Sequence, residues 1–545
     1  MKKQFLFIAV FFMTGKLFAQ GTFSGDLMMN LNFFMKDTNI KASGNPLYDN
    51  ALSGSDAWLS MRYAINGYTF FARADGFDNS NLKNPVSPNT DFGIGAWSIT
   101  KEMDDLSITV GSIYDQIGSG ILFRSYEDRG LLIDNALMGF QLKYKFSDKF
   151  SMKGFTGQMK NNNSDNNLIN NVRYAPVVKG ISGEGDLNVG KAHLVPGFGA
   201  LNRTLDGASM NNVAAGINAL DTADRFLPRY NTYAFTAYNT LTYKNLSWYV
   251  EGAYKTHEAI LITNQYDPHF GKLADRDGNI VYTSVNYGRK GLALSLTGKR
   301  TEDFTMRTSP NETVLKGMLN WQPIVAVMRP LRLMSRYTPA SQDQSEMAGT
   351  AQMNISPNDV TTFTLTYTHI NTLTNEKLYR EAYAEGVYQG MDKWVLEGGV
   401  QYIEYNLDAY QIRSIPFLTL YGITPFAELT YKITDNKSLR MEMQYMHANQ
   451  DYGSWAFALV EYNIAPKWSF TISDMYNVKP NPGADNLNYK NPGNHYYNFF
   501  MAHTRGANRF TLAYVKQVDG INCSGGVCRY EPAFSGVKAT VTSSF

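Results

Sequence analysis

The chain predicts an all-β fold, a transmembrane antiparallel up-and-down β-barrel of about 24 strands, with 22–26 as the working range. Three observations carry that reading. Apolar and polar residues alternate with period two from one end to the other. The connections between alternating segments are by turns short and long. A basic stretch followed by a short apolar run opens the chain in the manner of a secretion signal.

Met1-Lys2-Lys3 precedes the apolar run Gln4–Met13, and Leu17-Phe18-Ala19 suits cleavage, so residues 1–19 read as a signal peptide. The run is too short to span a bilayer, and no later stretch of the chain is long and apolar enough to be a membrane helix. A mean hydropathy of −0.30 is compatible with a barrel, because half of each strand faces a polar lumen. The formal charge of +2 includes the leader's Lys2, Lys3 and Lys16, leaving no basic surplus that calls for nucleic acid.

Strand alternation starts within a few residues of the cleavage point. Phe23, Gly25, Leu27, Met29, Leu31, Phe33 and Met35 alternate with Ser24, Asp26, Asn30, Asn32 and Lys36. The same pattern recurs at Tyr233–Tyr243 and at Leu439–Tyr445, and the final segment Val537–Phe545 alternates up to a terminal Phe. Residues 20–545 therefore read as a single barrel with no plug or periplasmic domain. Turn-forming residues mark the short connections at Asn66-Gly67, Asp104-Asp105, Asp148-Lys149, Gly190, Lys244-Asn245 and Lys290-Gly291. They continue at Pro357–Asp359, Gly390–Asp392, Asp435-Asn436, Ala465–Lys467 and Arg505-Gly506. Between them lie mostly long polar stretches, 37–54, 78–90, 114–133, 160–171, 203–230, 257–278, 301–345, 406–420 and 478–493. Short turns at the periplasmic side and long loops outside is the arrangement such barrels have. The 301–345 stretch either hides a further hairpin near Val314–Leu319 and Ile324–Met328 or holds an occluding segment from Trp321 to Leu333.

A secreted chain that closes on an alternating strand ending in Phe545 resembles a bacterial outer-membrane β-barrel, and that resemblance makes the last strand the signal for the barrel-insertion machinery. Ser543 interrupts the apolar face of that strand. The Tyr/Phe/Asn-rich barrel, the Ala19-Gln20 junction and the Arg124–Asp134 segment resemble an uncharacterised, porin-like outer-membrane barrel family of Bacteroidota. The resemblance implies the Gram-negative outer membrane as location, lipid as surroundings and both termini in the periplasm. It supplies no substrate. TonB-dependent receptors are similar in size but place a plug domain before the barrel, where this chain already alternates.

Candidate functional groups lie in the connections and on the lumen face. Loop 114–133 sets the apolar Ile121-Leu122-Phe123 beside Arg124, Glu127, Asp128 and Arg129. A loop that folds back into the lumen has that character, and the four charges would then form a constriction. The alternative is a surface loop pinned by local salt bridges. Arg62, Arg73, Asp75, Lys143, Lys145, Lys153, Glu251, Lys255, Glu397, Arg440 and Glu442 take the lumen parity, and their mixed sign argues against a strongly selective pore. Cys523 and Cys528 suit a disulfide closing a tight loop in an oxidising compartment. Asp275–Asn279 resembles the start of a calcium loop but has Asn286 where a bidentate Glu belongs, so a polar turn is the competing reading. Asn161–Asn167 reads as a low-complexity loop. The seven His are scattered without a nucleophile–base pairing, so no enzyme and no cofactor is expected. Two functions follow: a porin-like channel for small polar solutes, or a non-conducting barrel, occluded by its own loops, that serves a larger assembly through an outer-membrane or surface lipoprotein.

Overall fold

In hydrocarbon each unpaired backbone N–H or C=O costs several kcal/mol, so a sheet can cross a membrane only by closing on itself. The chain does this with 24 antiparallel strands. This computed structural model describes residues 21–80, 82, 88–161, 169, 172–312, 316–341, 344–411, 419–480, 494–524 and 527–545. Residues 1–19, read from the sequence as a signal peptide, and the low-complexity residues 162–167 fall outside them. Each strand pairs with its sequence neighbour, and the short piece Leu187–Val189 continues Arg173–Gly185 along the same neighbour, Ala192–Thr204.

Closure joins the first strand, Thr22–Phe34, to the last, Phe534–Ser544, in register from Asp26↔Ser544 to Phe34↔Gly536. The Gly25 and Phe545 backbones exchange the final hydrogen bonds at 2.8 and 3.0 Å. Ser543, which breaks the apolar face of the closing strand, donates its hydroxyl to Asn508 Oδ1 across the pair. At Gly536 (φ +148°) a Cβ would stand 1.9 Å from the Phe33 carbonyl oxygen, so the seam requires glycine there.

All eleven short turns fall where the turn residues mark them. The outward parity carries an apolar band, for example Phe140, Leu142, Tyr144 and Phe146 on one strand and Phe363, Leu365 and Tyr367 on another. Aromatics such as Tyr68, Phe150, Trp248, Tyr388 and Phe470 flank the band toward the turn end.

Two loop expectations need correction. Half of the 257–278 stretch is strand, since Leu246–Leu261 and Leu273–Arg289 extend into it. Asp275–Asn279 is therefore neither a calcium loop nor a turn: it is extended and paired with residues 254–259. Its polarity misled because the strand's inner face here is covered by buried ion pairs rather than by apolar residues. Among the described residues, 303–345 contains no further hairpin; Arg307↔Met318 is an isolated bridge, followed by a 3-10 turn at Met334–Tyr337. The 205–230 connection holds a helix, Gly207–Asn218, capped by the Asp206 side chain, which accepts from Ser209 N–H at 3.2 Å. Val213 and Ile217 seat it against Ala259 and Leu273.

Candidate functional site: a two-loop plug above a charged vestibule

Ile117, Ile121, Leu122 and Phe123 sit in one connection and would be costly to leave in water. The 114–136 loop turns them inward, onto wall residues Phe155, Val178, Leu201, Ala234, Ala253 and Ile280. Two small hairpins stiffen it, Gln116–Ile117 with Phe123–Arg124, and Glu127–Asp128 with Ile133–Asp134. Phe304, Met306 and Leu319 of the long 303–345 loop join the same cluster. Further along that loop, Val325, Ala326, Leu333 and Tyr337 pack on the other half of the wall, against Ile370, Tyr379, Ile403, Trp455 and Met475. The segment from Trp321 to Leu333 thus lies inside the barrel. The loops bind one another directly: Arg124 N–H donates to Leu319 O at 2.9 Å, Trp321 N–H to Gly120 O at 3.0 Å, and Asn135 Nδ2 to Met318 O at 2.8 Å.

Charged tethers fix this plug to the wall. Arg73 forks onto Asp75 of its own strand (2.6 and 2.8 Å) and reaches Asp134 (2.6 Å) and Glu127 (3.0 Å) of the 114–136 loop. Lys160 donates to Asp134 at 2.6 Å and to Gly95 O at 3.0 Å, and Tyr114 OH donates to the other Asp134 oxygen at 2.8 Å. Gly95 is required beside them, since a Cβ there would collide with the Asp75 carboxylate. Burial works against the charge of Asp134, yet Lys160 and Arg73 hold its carboxyl below the ordinary value. On the long loop, Arg203 and Lys255 share Glu258 at 2.7 Å each and donate onward to the Arg307 and Thr305 carbonyls, both at 2.9 Å. Arg329 forks onto Glu381 at 3.0 and 3.2 Å while stacking 3.6 Å from the Tyr383 centroid. Tyr337 donates to Asp451 at 2.8 Å, and burial, with the adjacent Asp451 charge, pushes its hydroxyl pKa well up.

The four loop charges singled out from the sequence do not converge on one aperture. Glu127 and Arg129 pair at 2.8 Å and tie the loop to Arg73 and to Asp26 (3.3 Å). Arg124 lies between the Tyr126 and Trp321 rings, 4.4 and 4.9 Å from their centroids, and so joins the two loops. Asp128 accepts from Leu131 N–H at 2.9 Å and shapes its own hairpin. Cys523 and Cys528 are register partners in the hairpin Gly520–Ser524 with Val527–Glu531, and Cys528 is disulfide-bonded. Phe545 lies at the seam, its ring 5.9 Å from that of Phe23.

The plug occupies only the loop half of the lumen. Along Leu137–Ser147 the inward side chains of Leu137 and Gln141 are buried, whereas those of Lys143 and Lys145 are 50% and 52% exposed. The turn half is an open vestibule, and its charges are sorted. On the sixth and seventh strands Lys143 and Lys153 are direct register partners, with Lys145 beside them. The plug residue Asp115 caps the first two at 3.3 and 2.7 Å. Glu385, Glu397, Glu428, Glu442 and Glu461 lie on strands sixteen to twenty, on the opposite side of the barrel. Glu428 faces both Glu397 and Glu442 in register. The one cation among these glutamates, Arg440, reaches Glu428, Glu442 and Glu461 at 2.7, 3.0 and 3.5 Å. A polar cavity of 540 Å³ continues from Arg440 and Glu442, between residues 328–338 and the wall, up to Lys516–Ile521 at the loop end.

Strand count, apolar outer band and polar lumen define a closed β-barrel of the outer-membrane class. The chain belongs to the family of unknown function DUF6029, whose model matches residues 1–545. No curated protein matches the sequence. Among solved structures it is similar to the P pilus usher (PapC) translocation pore, with 8% identity, 96% of this chain and 99% of that chain covered, and a TM-score of 0.43. It is also similar to the siderophore receptor PirA from Pseudomonas aeruginosa, at 9% identity, 96% and 80% coverage and a TM-score of 0.41. For OpdQ from Pseudomonas aeruginosa the values are 10%, 83% and 98%, with a TM-score of 0.33. Likeness at this level assigns no function.

Proposed function

We propose that the protein is an outer-membrane channel for small polar solutes, narrowed by its own two loops to a route beside the 328–338 segment. The observation that carries this is the sorting of vestibule charge. Like charges placed directly opposite across a strand pair are destabilising, yet Lys143↔Lys153 and Glu397↔Glu428↔Glu442 stand so on opposite walls. A barrel serving only as a scaffold gains nothing from that cost; a passage gains a field across its lumen that favours polar solutes over apolar ones. In this reading the turns and both termini face the periplasm, and the last strand, ending at Phe545, is what the insertion machinery recognises.

Single-channel recording of the purified protein in a planar bilayer tests it. Small, discrete conductance steps are expected from the intact protein, larger ones after deletion of 321–333, and a reversal potential displaced toward anion preference in Glu397→Gln/Glu428→Gln. Silence of both the intact and the deleted protein would refute the channel. The apolar packing of the plug favours the second reading in that event: a non-conducting barrel docked to an outer-membrane or surface lipoprotein.

A further inference from the structure

At the closure seam the inward face is polar. Asn30 and Asn32 of the first strand point inward between two neighbours: Asp56 of Ser53–Ile65, which faces Asn30, and Lys538 of the last strand, which faces Asn32. A cavity of 230 Å³ opens among these four, roofed by Leu82, Arg529, Tyr530, Glu531 and Pro532. Asp56 is 1% exposed, and neither of its carboxylate oxygens accepts a hydrogen bond from the described residues. The Ser80 hydroxyl and the Arg529 guanidinium lie beside it. Arg529 is spent elsewhere, on Glu531 at 2.7 Å and on the Leu82 carbonyl. Lys538 lies 4.3 Å from the Phe534 ring centroid and has no ion-pair partner among the described residues.

A buried carboxylate is strongly destabilising unless a donor or counter-ion meets it. Lys538 does not: it sits two strand spacings away, roughly 10 Å across the sheet. Asp56 and Lys538 share one cavity with no ion pair between them, Arg529 standing near the first and Glu531 near the second. A ligand that bridges them must present a cationic donor at one end and an anionic acceptor at the other, with amide-compatible groups between to meet Asn30 and Asn32. We propose that this cavity binds a small zwitterion of the free amino acid class, its ammonium on Asp56 and its carboxylate on Lys538. The site stands whether or not the barrel conducts.

The test is calorimetric titration of the full-length protein in detergent with glycine, L-alanine and L-glutamine, beside ethylamine and propionate as half-ligands. Saturable binding of at least one amino acid is expected, weakened tenfold or more by Asp56→Asn and by Lys538→Met. Ethylamine should bind more weakly and respond only to Asp56→Asn; propionate should respond only to Lys538→Met. Lys290→Gln, in an exposed turn at the opposite end of the barrel, should leave all of these unchanged, and an unaltered far-UV circular dichroism spectrum identifies variants that remain folded. No binding of any of the three amino acids to the folded protein would overturn the proposal. So would amino acid binding that survives Asp56→Asn, or ethylamine binding as tightly as the amino acids.

Discussion

Asp134 is the acidic pin of the plug, and its removal has a size that the structure sets. Asp134→Asn keeps the shape of the side chain but strips the charge that faces Lys160 and Arg73, whose side chains are 3% and 2% exposed. Arg73 retains Asp75 and Glu127, so it loses little. Lys160 keeps the Gly95 carbonyl but loses its ion-pair partner, leaving Asp75 as a more distant counter-charge. Breaking a buried pair by removing one partner costs about 3–5 kcal/mol, and the surviving contacts of Arg73 place this case near the lower value. About 3 kcal/mol is roughly a hundredfold in the equilibrium for releasing the loop. Hydrogen exchange reads that equilibrium at amides that only the docked loop protects. Arg124 N–H donates to Leu319 O, Ser125 N–H to Asp115 O at 2.8 Å, and Tyr126 N–H to Asn135 Oδ1 at 2.7 Å. Their protection should fall about a hundredfold together, while barrel amides stay unchanged. Adding Lys160→Met should restore protection to within about tenfold, because removing both charges is far milder than orphaning one. Unchanged exchange in Asp134→Asn, or no recovery in the double variant, would refute the role of this ion pair in holding the plug.

The same carboxyl sets a pH window. Its folded pKa lies below the ordinary 3.8, so its contribution is fully present above that value and is lost as pH falls through the lower folded one. Loop protection should therefore be flat from neutral pH to about 4.5, collapse only below the ordinary carboxylate range, and lose that acid transition in Asp134→Asn. At the seam, Gly536→Ala places a methyl against the Phe33 carbonyl and should abolish the compact, heat-modifiable band of the closed barrel on cold SDS gels. Gly252→Ala, where an added Cβ meets nothing within 4 Å, should leave that band intact.

How much of this was legible in the sequence depended on range. Turns are local: Asn66-Gly67 or Lys290-Gly291 announce themselves wherever they stand, and with alternation they yield the strand count. Asp275–Asn279 misled because composition cannot separate a solvated loop from a strand whose polar face is covered. The apolar run at Ile121–Phe123 hinted at an inward loop, but the grip of that loop comes from Arg73, Asp75 and Lys160 on other strands. No spacing in the chain links those residues to Asp134. Parity in the sequence marks Lys143, Lys145, Lys153, Glu397, Arg440 and Glu442 as inward and mixed in sign, whereas Glu385, Glu428 and Glu461 were not singled out and the sorting was missed. Parity says which face a side chain takes; only the closed strand order shows that Lys143 and Glu428 lie across the lumen from each other. Asp56 is one polar residue of an alternating strand, and only the roof of Leu82 and Arg529 over it sets it apart.

The seam also fixes a sequence of events in time. Gly25 and Phe545 exchange their hydrogen bonds across almost the whole length of the chain, so this contact carries the largest loop-closure cost and forms last. Both loops of the plug are anchored to strands that lie between those ends, and Arg129 already reaches Asp26 on the first strand. The nascent sheet would therefore curl around a filling it has already gathered, with the apolar inner residues serving as a mandrel. A loop that failed to dock before the seam zipped would have to enter through the mouth of a cylinder already closed.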